Sequence, residues 1–410
     1  MSTAAPPEVQ AAAVPGDGVA AAAHAYFDKL RAGDVGSLPV FVALAAITIF
    51  FSAKSGVFFT AVNFDNLMVQ MAGTAVMAIG VVFVLLLGEI DLSIGSVSGI
   101  GGVAVATFQQ VGTGHNIGGG GAIVLAIAAG AVIGAIQGSF VALIGVPSFV
   151  VTLAGLLAFE GVILQRLGSE GVIGIQNNTV NNVANYFLPK NWGWGIAAAV
   201  ALALVLTAAG GYWTRRRAGL VIGNVPLIVL RVVALAVITF GVVMICNHSR
   251  GVPFAGILVV GLVVFWTYVA RRTTFGRHVY AVGGNPEAAR RAGINVARIR
   301  ILVFMISGAM AALGGIVFAA RLSSVDLSAG SGTVLLDAIS AAVIGGTSLF
   351  GGRGYVRAAL LGALVIKTIE NGLDLLGQTD WVKDVTTGVI LLAAVTLDTV
   401  SRRRLQASGR

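Results

Sequence analysis

Two groups of polar side chains stand inside otherwise apolar sequence, and they are the residues best placed to do chemistry. Glu89, Asp91 and Ser93 follow the run VVFVLLLG. A carboxylate there is costly in an apolar medium unless it faces water or the protein interior. Either Asp91 or Ser93 caps a helix starting at Ile94 and satisfies its loose amide hydrogens, or Glu89 and Asp91 stand at the inner mouth of a path or at a contact that transmits motion. The second group is Lys367, Glu370, Asn371 and Asp374, spaced 0, +3, +4 and +7 along one helical face. Lys367 can pair with Glu370, which makes the group a self-satisfied cluster. The same stripe can instead line a wet path where a solute's hydroxyls find partners. Gln70 and Thr74, four apart, repeat that pattern on a smaller scale.

Chemistry that breaks bonds has little footing. No nucleophile–base constellation occurs, so no catalytic residue is assigned. His24, His115, His248 and His278 lie far apart without metal-ligand spacing, and Cys246, in an apolar run, reads as packing. No G-x-x-x-x-G-K-[ST] loop is present, so the chain itself holds no ATP by that route. IGGTSLFGG lacks the lysine and reads as a tight turn. The expectation is therefore no metal and no cofactor bound by this chain.

The elements that must position these groups follow from composition. Of 410 residues 57% are hydrophobic and 10% charged, against about 25% charged in a soluble domain. The natural solvent is a bilayer, and the fold class is an all-α polytopic membrane protein. Apolar runs place spans near 38–60, 67–87, 95–112, 120–144, 148–165, 195–213, 232–247, 253–270, 301–320, 355–377 and 383–400. Segment 333–350, with Asp337 and a glycine pair, either crosses or enters and returns. The total is 10–12 transmembrane helices within a membrane domain 37–400. A cytoplasmic tail at 1–36, expected to be disordered, precedes them, and a basic cytoplasmic tail at 401–410 follows. Small residues such as Gly99, Gly101, Gly102, Gly130, Gly134 and Gly138 suit close helix packing.

The net charge is +9, with 26 basic residues. With both termini inside, nineteen of the 26 fall in inner loops and five in outer ones, a strong positive-inside bias. It requires an even number of crossings and counts 333–350 as one of twelve. Seven cations lie between Arg271 and Arg300, in the one long charged segment. Within it Asn285 can cap, Pro286 suits the first helical position, Glu287 suits the positive end, Arg290 and Arg291 fill the last turn and Gly293 stops the helix. Two turns, roughly 10 Å, are too short to stand alone in water. Such a helix lies on anionic headgroups or docks a soluble partner. Because the cations sort by membrane side, nucleic-acid binding has little support.

Four separated blocks carry a resemblance: GEIDLSIGSVSGIGG (88–102), GVPSFVVTLAGLLAFEGV (145–162), AVGGNPEAARRAGINVARIRILVFMISGAMAALGGI (281–316) and DAISAAVIGGTSLFGGRG (337–354). Together they resemble the permease subunits of bacterial sugar ABC importers, most of all the xylose-type group, over most of the chain after about Asn63. The Ala-rich tail and the linker 177–191 depart from that pattern. The resemblance implies that Gly284 to Gly293, with Asn285, Pro286, Glu287, Arg290 and Arg291, is a coupling helix that docks into an ATPase subunit. It further implies ATP and magnesium on that partner, a second permease copy, an extracytoplasmic sugar-binding protein that meets the outer segment 166–194, lipid around the bundle, and an inner-membrane location. D-xylose is the expected solute, with ribose, galactose and arabinose as related possibilities. The competing reading is an ion-coupled secondary sugar transporter, which would show midplane ion sites and broken helices. A membrane enzyme is disfavoured by the missing constellation.

Overall fold

The computed structural model describes residues 38–110, 116–219 and 224–407. The expected tail 1–36 and the last residues, 408–410, lie outside the described residues. Fifteen α-helices are described. They are α1 (Leu38–Lys54), α2 (Ala61–Leu86), α3 (Ile94–Phe108), α4 (Gly118–Ser139, continued by a π-turn at Phe140–Ile144), α5 (Ser148–Leu167), α6 (Asn178–Asn185), α7 (Lys190–Arg217), α8 (Val225–His248), α9 (Phe254–Arg272), α10 (Thr274–Gly284), α11 (Pro286–Arg291), α12 (Val296–Leu322), α13 (Val334–Ile344), α14 (Val356–Leu375) and α15 (Asp380–Ala407). Two short strands, β1 (Val172–Gly174) and β2 (Ser324–Asp326), pair antiparallel with Ile173 opposite Val325.

Packing separates two compact units among these residues. One is 194–243; the other comprises 36–193 and 244–410. Within the first, Trp194 stacks on Phe240 at 6.2 Å. In the second, α2 is the central rod, with 94% of its apolar window buried, followed by α12 at 67%. Glycines let α4 lie directly on α12. A side chain at Gly130 would strike the Gly308 backbone, one at Gly134 the Phe304 carbonyl, and one at Gly138 the Ile301 backbone. Glycines of α3 serve likewise, with Gly101 against Ala312 and Gly99 against Ala329.

Every apolar run expected to span is helical, but the helices are unequal. Seven are long and apolar enough to cross a membrane, and α1, α3 and α13 are shorter apolar helices. At 1.5 Å per residue, α3 covers roughly 22 Å and α13 roughly 16 Å, less than a hydrocarbon core of about 30 Å. Of segment 333–350, left open between a crossing and an entry and return, only Val334–Ile344 is helical. The segment from β2 to Gly352 does pass from one end of the bundle to the other, because β2 pairs beside the end of α5 while Gly352 meets Leu86 at the end of α2. Only its middle, Val334–Ile344, is helical, since Gly345 and Gly346 end α13 and the glycine pair at 330 and 332 precedes it. α3 is likewise preceded by a non-helical stretch, 88–93. α15 continues through Ala407, into the segment expected as the basic tail 401–410.

Gly134→Ala should lower thermal stability in detergent by about 1–3 kcal/mol, the cost of overpacking. Gly210→Ala, whose added methyl meets open space, should leave the melting midpoint unchanged or higher.

Candidate functional site

The short basic helix forms as its residues dictate. Asn285 Oδ1 accepts from the Ala288 amide at 2.9 Å, Pro286 opens α11, and Gly293 takes a left-handed φ of +83° after its end. Glu287 pairs with Arg290 at 3.0 Å and Arg291 at 3.4 Å, and both arginines remain largely exposed. Such surface pairs add little stability. What holds the helix is buried Ala289 beneath it, whose carbonyl accepts from the Ile294 amide, and the longer α10 before it. The charged segment 271–300 is thus mostly helical rather than a loop. α11 itself is shorter than expected, six residues from Pro286 to Arg291.

The end of α10 is welded to two other segments. A side chain on Gly283 would run into the Leu86 carbonyl and the Gly352 amide, which already bond to each other at 2.9 Å. Gly351 sits between Gly88 and Gly283, and Gly352 lies against Gly284. Tyr280 donates its hydroxyl to the Gly354 carbonyl at 2.8 Å. Burial pushes that phenol's pKa up, and the nearby Arg271 charge opposes the shift. Three backbones therefore meet without side chains between them: the end of α2, the end of α10 and the glycine turn that joins α13 to α14. Displacement of α11 has a short route to both broken segments.

Glu89 and Asp91 divide their duties. Glu89 pairs with Arg300 of α12 at 3.1 Å, both mostly buried. Arg300 also borders a cavity of about 330 Å³ with Arg290, Asn295 and the π-turn residue Ala142. Asp91 is buried. Its Oδ1 accepts from the Ser93 amide at 3.0 Å and the Ser93 hydroxyl at 2.7 Å, and its Oδ2 accepts from Ser307 of α12 at 2.8 Å. Gln137 of α4 donates to Ser93 Oγ at 3.0 Å. The expected side-chain cap is corrected. Ser93 stands at the N-cap position, but neither it nor Asp91 caps α3, because Ser93 has helical φ and ψ and its hydroxyl is drawn to Asp91. The carboxylate ties the α2–α3 break to α12 instead. Ser148 and Thr152 of α5 complete the stretch by bonding the Ile90 amide and carbonyl.

The stripe on α14 does not act as one face. Lys367 bonds Glu370 at 2.6 Å, the expected pair, and also Asp337 of α13 at 2.7 Å. Asn371 turns inward and exchanges amide bonds with Asn63 at 2.9 and 3.0 Å, while also donating to Gln70 at 3.2 Å. Asp374 reaches Lys383 of α15 at 2.5 Å, at the exposed end. Gln70 thus joins the Asn371 cluster, while Thr74, one turn away, is buried inside the bundle. Around the helix Asn371 stands about 40° from Lys367 and about 100° from Glu370, at the edge of the stripe that faces Asn63 and Gln70 of α2.

Several residues escaped the sequence reading. Asp337 was visible as an acid in an apolar run, but its lysine lies 30 positions away. Asn63, Gln137 and Ser307 carry no local signal, since their partners lie on segments 44 to 308 positions away. Asp65, fully buried, accepts from the Arg250 amide at 3.3 Å, across 185 residues. Gln109 ties α3 to the segment after β1 by accepting from the Gln176 and Asn177 amides. Among the described residues no group of three or more His, Cys, Asp or Glu has the geometry to hold a metal ion.

Comparison with known proteins gives this arrangement its class. The family described as branched-chain amino acid transport system / permease component matches residues 63–395, and the chain belongs to that family: it is a multi-pass membrane permease subunit. It is 38% identical to the xylose transport system permease protein XylH of Escherichia coli K12 over 90% of this chain and 93% of that one. It is 35% identical to the XylH protein of Haemophilus influenzae Rd, over 92% of this chain and all of that one. To the ribose import permease protein RbsC of Escherichia coli K12 it is 33% identical, over 91% and 96%. No solved structure matches it.

Arg300→Ala should strand the Glu89 carboxylate and cost roughly 1–3 kcal/mol in detergent unfolding, the penalty of an unpaired buried group. Adding Glu89→Ala should recover part of that loss. A double variant whose loss equals the sum of the singles would show the pair to be uncoupled.

Proposed function

We propose that this chain is the transmembrane subunit of an ATP-driven importer that moves D-xylose by alternating access. The observation that carries it is α11. This exposed basic helix, too short to be stable alone, is joined by bare backbone contacts at Gly283 to both broken segments of the bundle. The choice of solute rests on the chain-long likeness to two xylose permeases.

The mechanism follows from rigidity. A soluble ATPase pair, holding ATP and magnesium, seats α11 of each permease copy. Closure of that pair pushes α11 and α10. Gly283 passes the displacement to Leu86–Gly88 and to Phe350–Gly354, which lead into α3 and α14. Packed elements shift between discrete arrangements rather than bend, so the path opens to one side at a time. Two copies of this chain surround the path, and lipid surrounds both. An extracytoplasmic binding protein delivers sugar to the face formed by 166–194. The basic end lies in the cytoplasm by the positive-inside rule, with both termini there and the protein in the inner membrane. An ion-coupled transporter would share the broken helices, but it has no use for a docking helix, and membership in the permease family argues against it.

Labelled D-xylose uptake should require the co-expressed ATPase and binding protein in cells lacking their own pentose uptake. Uptake sustained by a proton gradient without the ATPase would refute the reading. Arg290→Glu with Arg291→Glu should cut uptake by about tenfold or more, the effect of losing roughly 1.4 kcal/mol of docking, while membrane levels of the protein stay normal. Unchanged uptake would remove α11 from the coupling role.

A further inference from the structure

We propose that Asp337, Ser340, Lys367 and Glu370 form a subsite for the hydroxyl groups of the passing solute, an inference that rests on the sugar-permease reading. The Lys367 ammonium lies between two carboxylates, 2.7 Å from Asp337 Oδ2 and 2.6 Å from Glu370 Oε2. Each carboxylate keeps one oxygen, Asp337 Oδ1 and Glu370 Oε1, that is buried and has no hydrogen-bond partner among the described residues. Ser340 Oγ, one turn along α13 from Asp337 and fully buried, is unpartnered as well.

A cluster kept only for stability would close these valences. A buried acceptor left open costs about 1–3 kcal/mol, and buried ions are tolerated where their remaining lone pairs are satisfied. The open set is mixed. It has two carboxyl oxygens, a third ammonium hydrogen, and a hydroxyl that both donates and accepts. Lys367 repels a metal cation, and the two carboxylates repel an anion. A polyol matches, because each of its hydroxyls donates once and accepts in return.

Lys367 and Glu370 give the group its access, while Asp337 and Ser340 are buried behind them. Lys367 and Glu370 retain 12% and 21% of their side-chain exposure. Asp374, on the same line of α14 and 51% exposed, stands about 10 Å away toward the bundle end. Arg321 at the end of α12 is within electrostatic reach of both Asp374 and Glu370. A charged lane thus runs from that end of the bundle to Asp337 in the first turn of the half-length helix α13. That helix leads into the glycine turn touched by α10, so the subsite lies on an element that coupling can move.

The test is Ser340→Cys in a Cys246→Ser background, with the permease assembled with its ATPase and binding protein in proteoliposomes. The probe is the small hydrophilic reagent 2-aminoethyl methanethiosulfonate, applied alone or with D-xylose, D-ribose or D-galactose. The expected result is modification that a transported aldose slows several-fold. No modification, or modification that no aldose slows, overturns the subsite. Glu370→Cys, read the same way, stands in if the first variant does not assemble. The two readings fail separately. A complex that imports D-xylose but shows no protection loses only the subsite. Protection by an aldose in a complex that imports none keeps the subsite and refutes the importer.

Discussion

At membrane depth a backbone amide or carbonyl that leaves the helix must find a partner inside the protein, because lipid offers none. The bundle leaves the helix at 88–93 and at 324–333, and groups of the protein bond both departures. Ser148, Thr152 and Asp91 bond the first stretch. β1 and the Asp326 turn hold the second. The departures cost backbone hydrogen bonds, and in return they create half-length helices that need not move with their neighbours. Gly95 on α3 lies directly against Gly330 ahead of α13, so the two irregular regions meet inside the bundle.

Close backbone approach is the second consequence of the same solvent. Helices in lipid have no hydrophobic drive toward one another, so contact must come from packing and polar bonds. Glycine supplies the first on α4 and α12, and buried amides and hydroxyls supply the second. The Asp91–Ser93–Ser307–Gln137 network ties the α2–α3 break to α12 and α4, and the Asn63–Asn371–Gln70 network ties α2 to α14. At Gly283 close approach serves transmission. With no side chain to compress, a shift of α10 must be passed to the backbone of Leu86 and Gly352.

Much of this organisation was legible from residue order. The spans, the basic end, the capped helix at Asn285 and its stop at Gly293 all follow from local periodicity, cap chemistry and charge, which act within one or two turns. The pairing of Lys367 with Glu370 was legible for the same reason. The partners of Asp337, Asp65 and Asn63 were not, since they lie 30 to more than 300 residues away and nothing local marks them. The expected cap at Asp91 failed because a carboxylate has several possible donors, and the nearer amide of Ser93 and the hydroxyl of Ser307 took it.

The sequence by itself determined the solvent, the apolar segments, the charged end and the short capped helix, because hydropathy, charge and cap propensities are properties of short stretches. Tertiary structure alone decided that two of the segments are half-length, that Asn371, at the edge of the stripe it shares with Lys367, Glu370 and Asp374, faces Asn63 and Gln70, and that Gly283, Leu86 and Gly352 form one junction. Those outcomes depend on which distant backbone comes close enough to complete a hydrogen bond or to exclude a side chain.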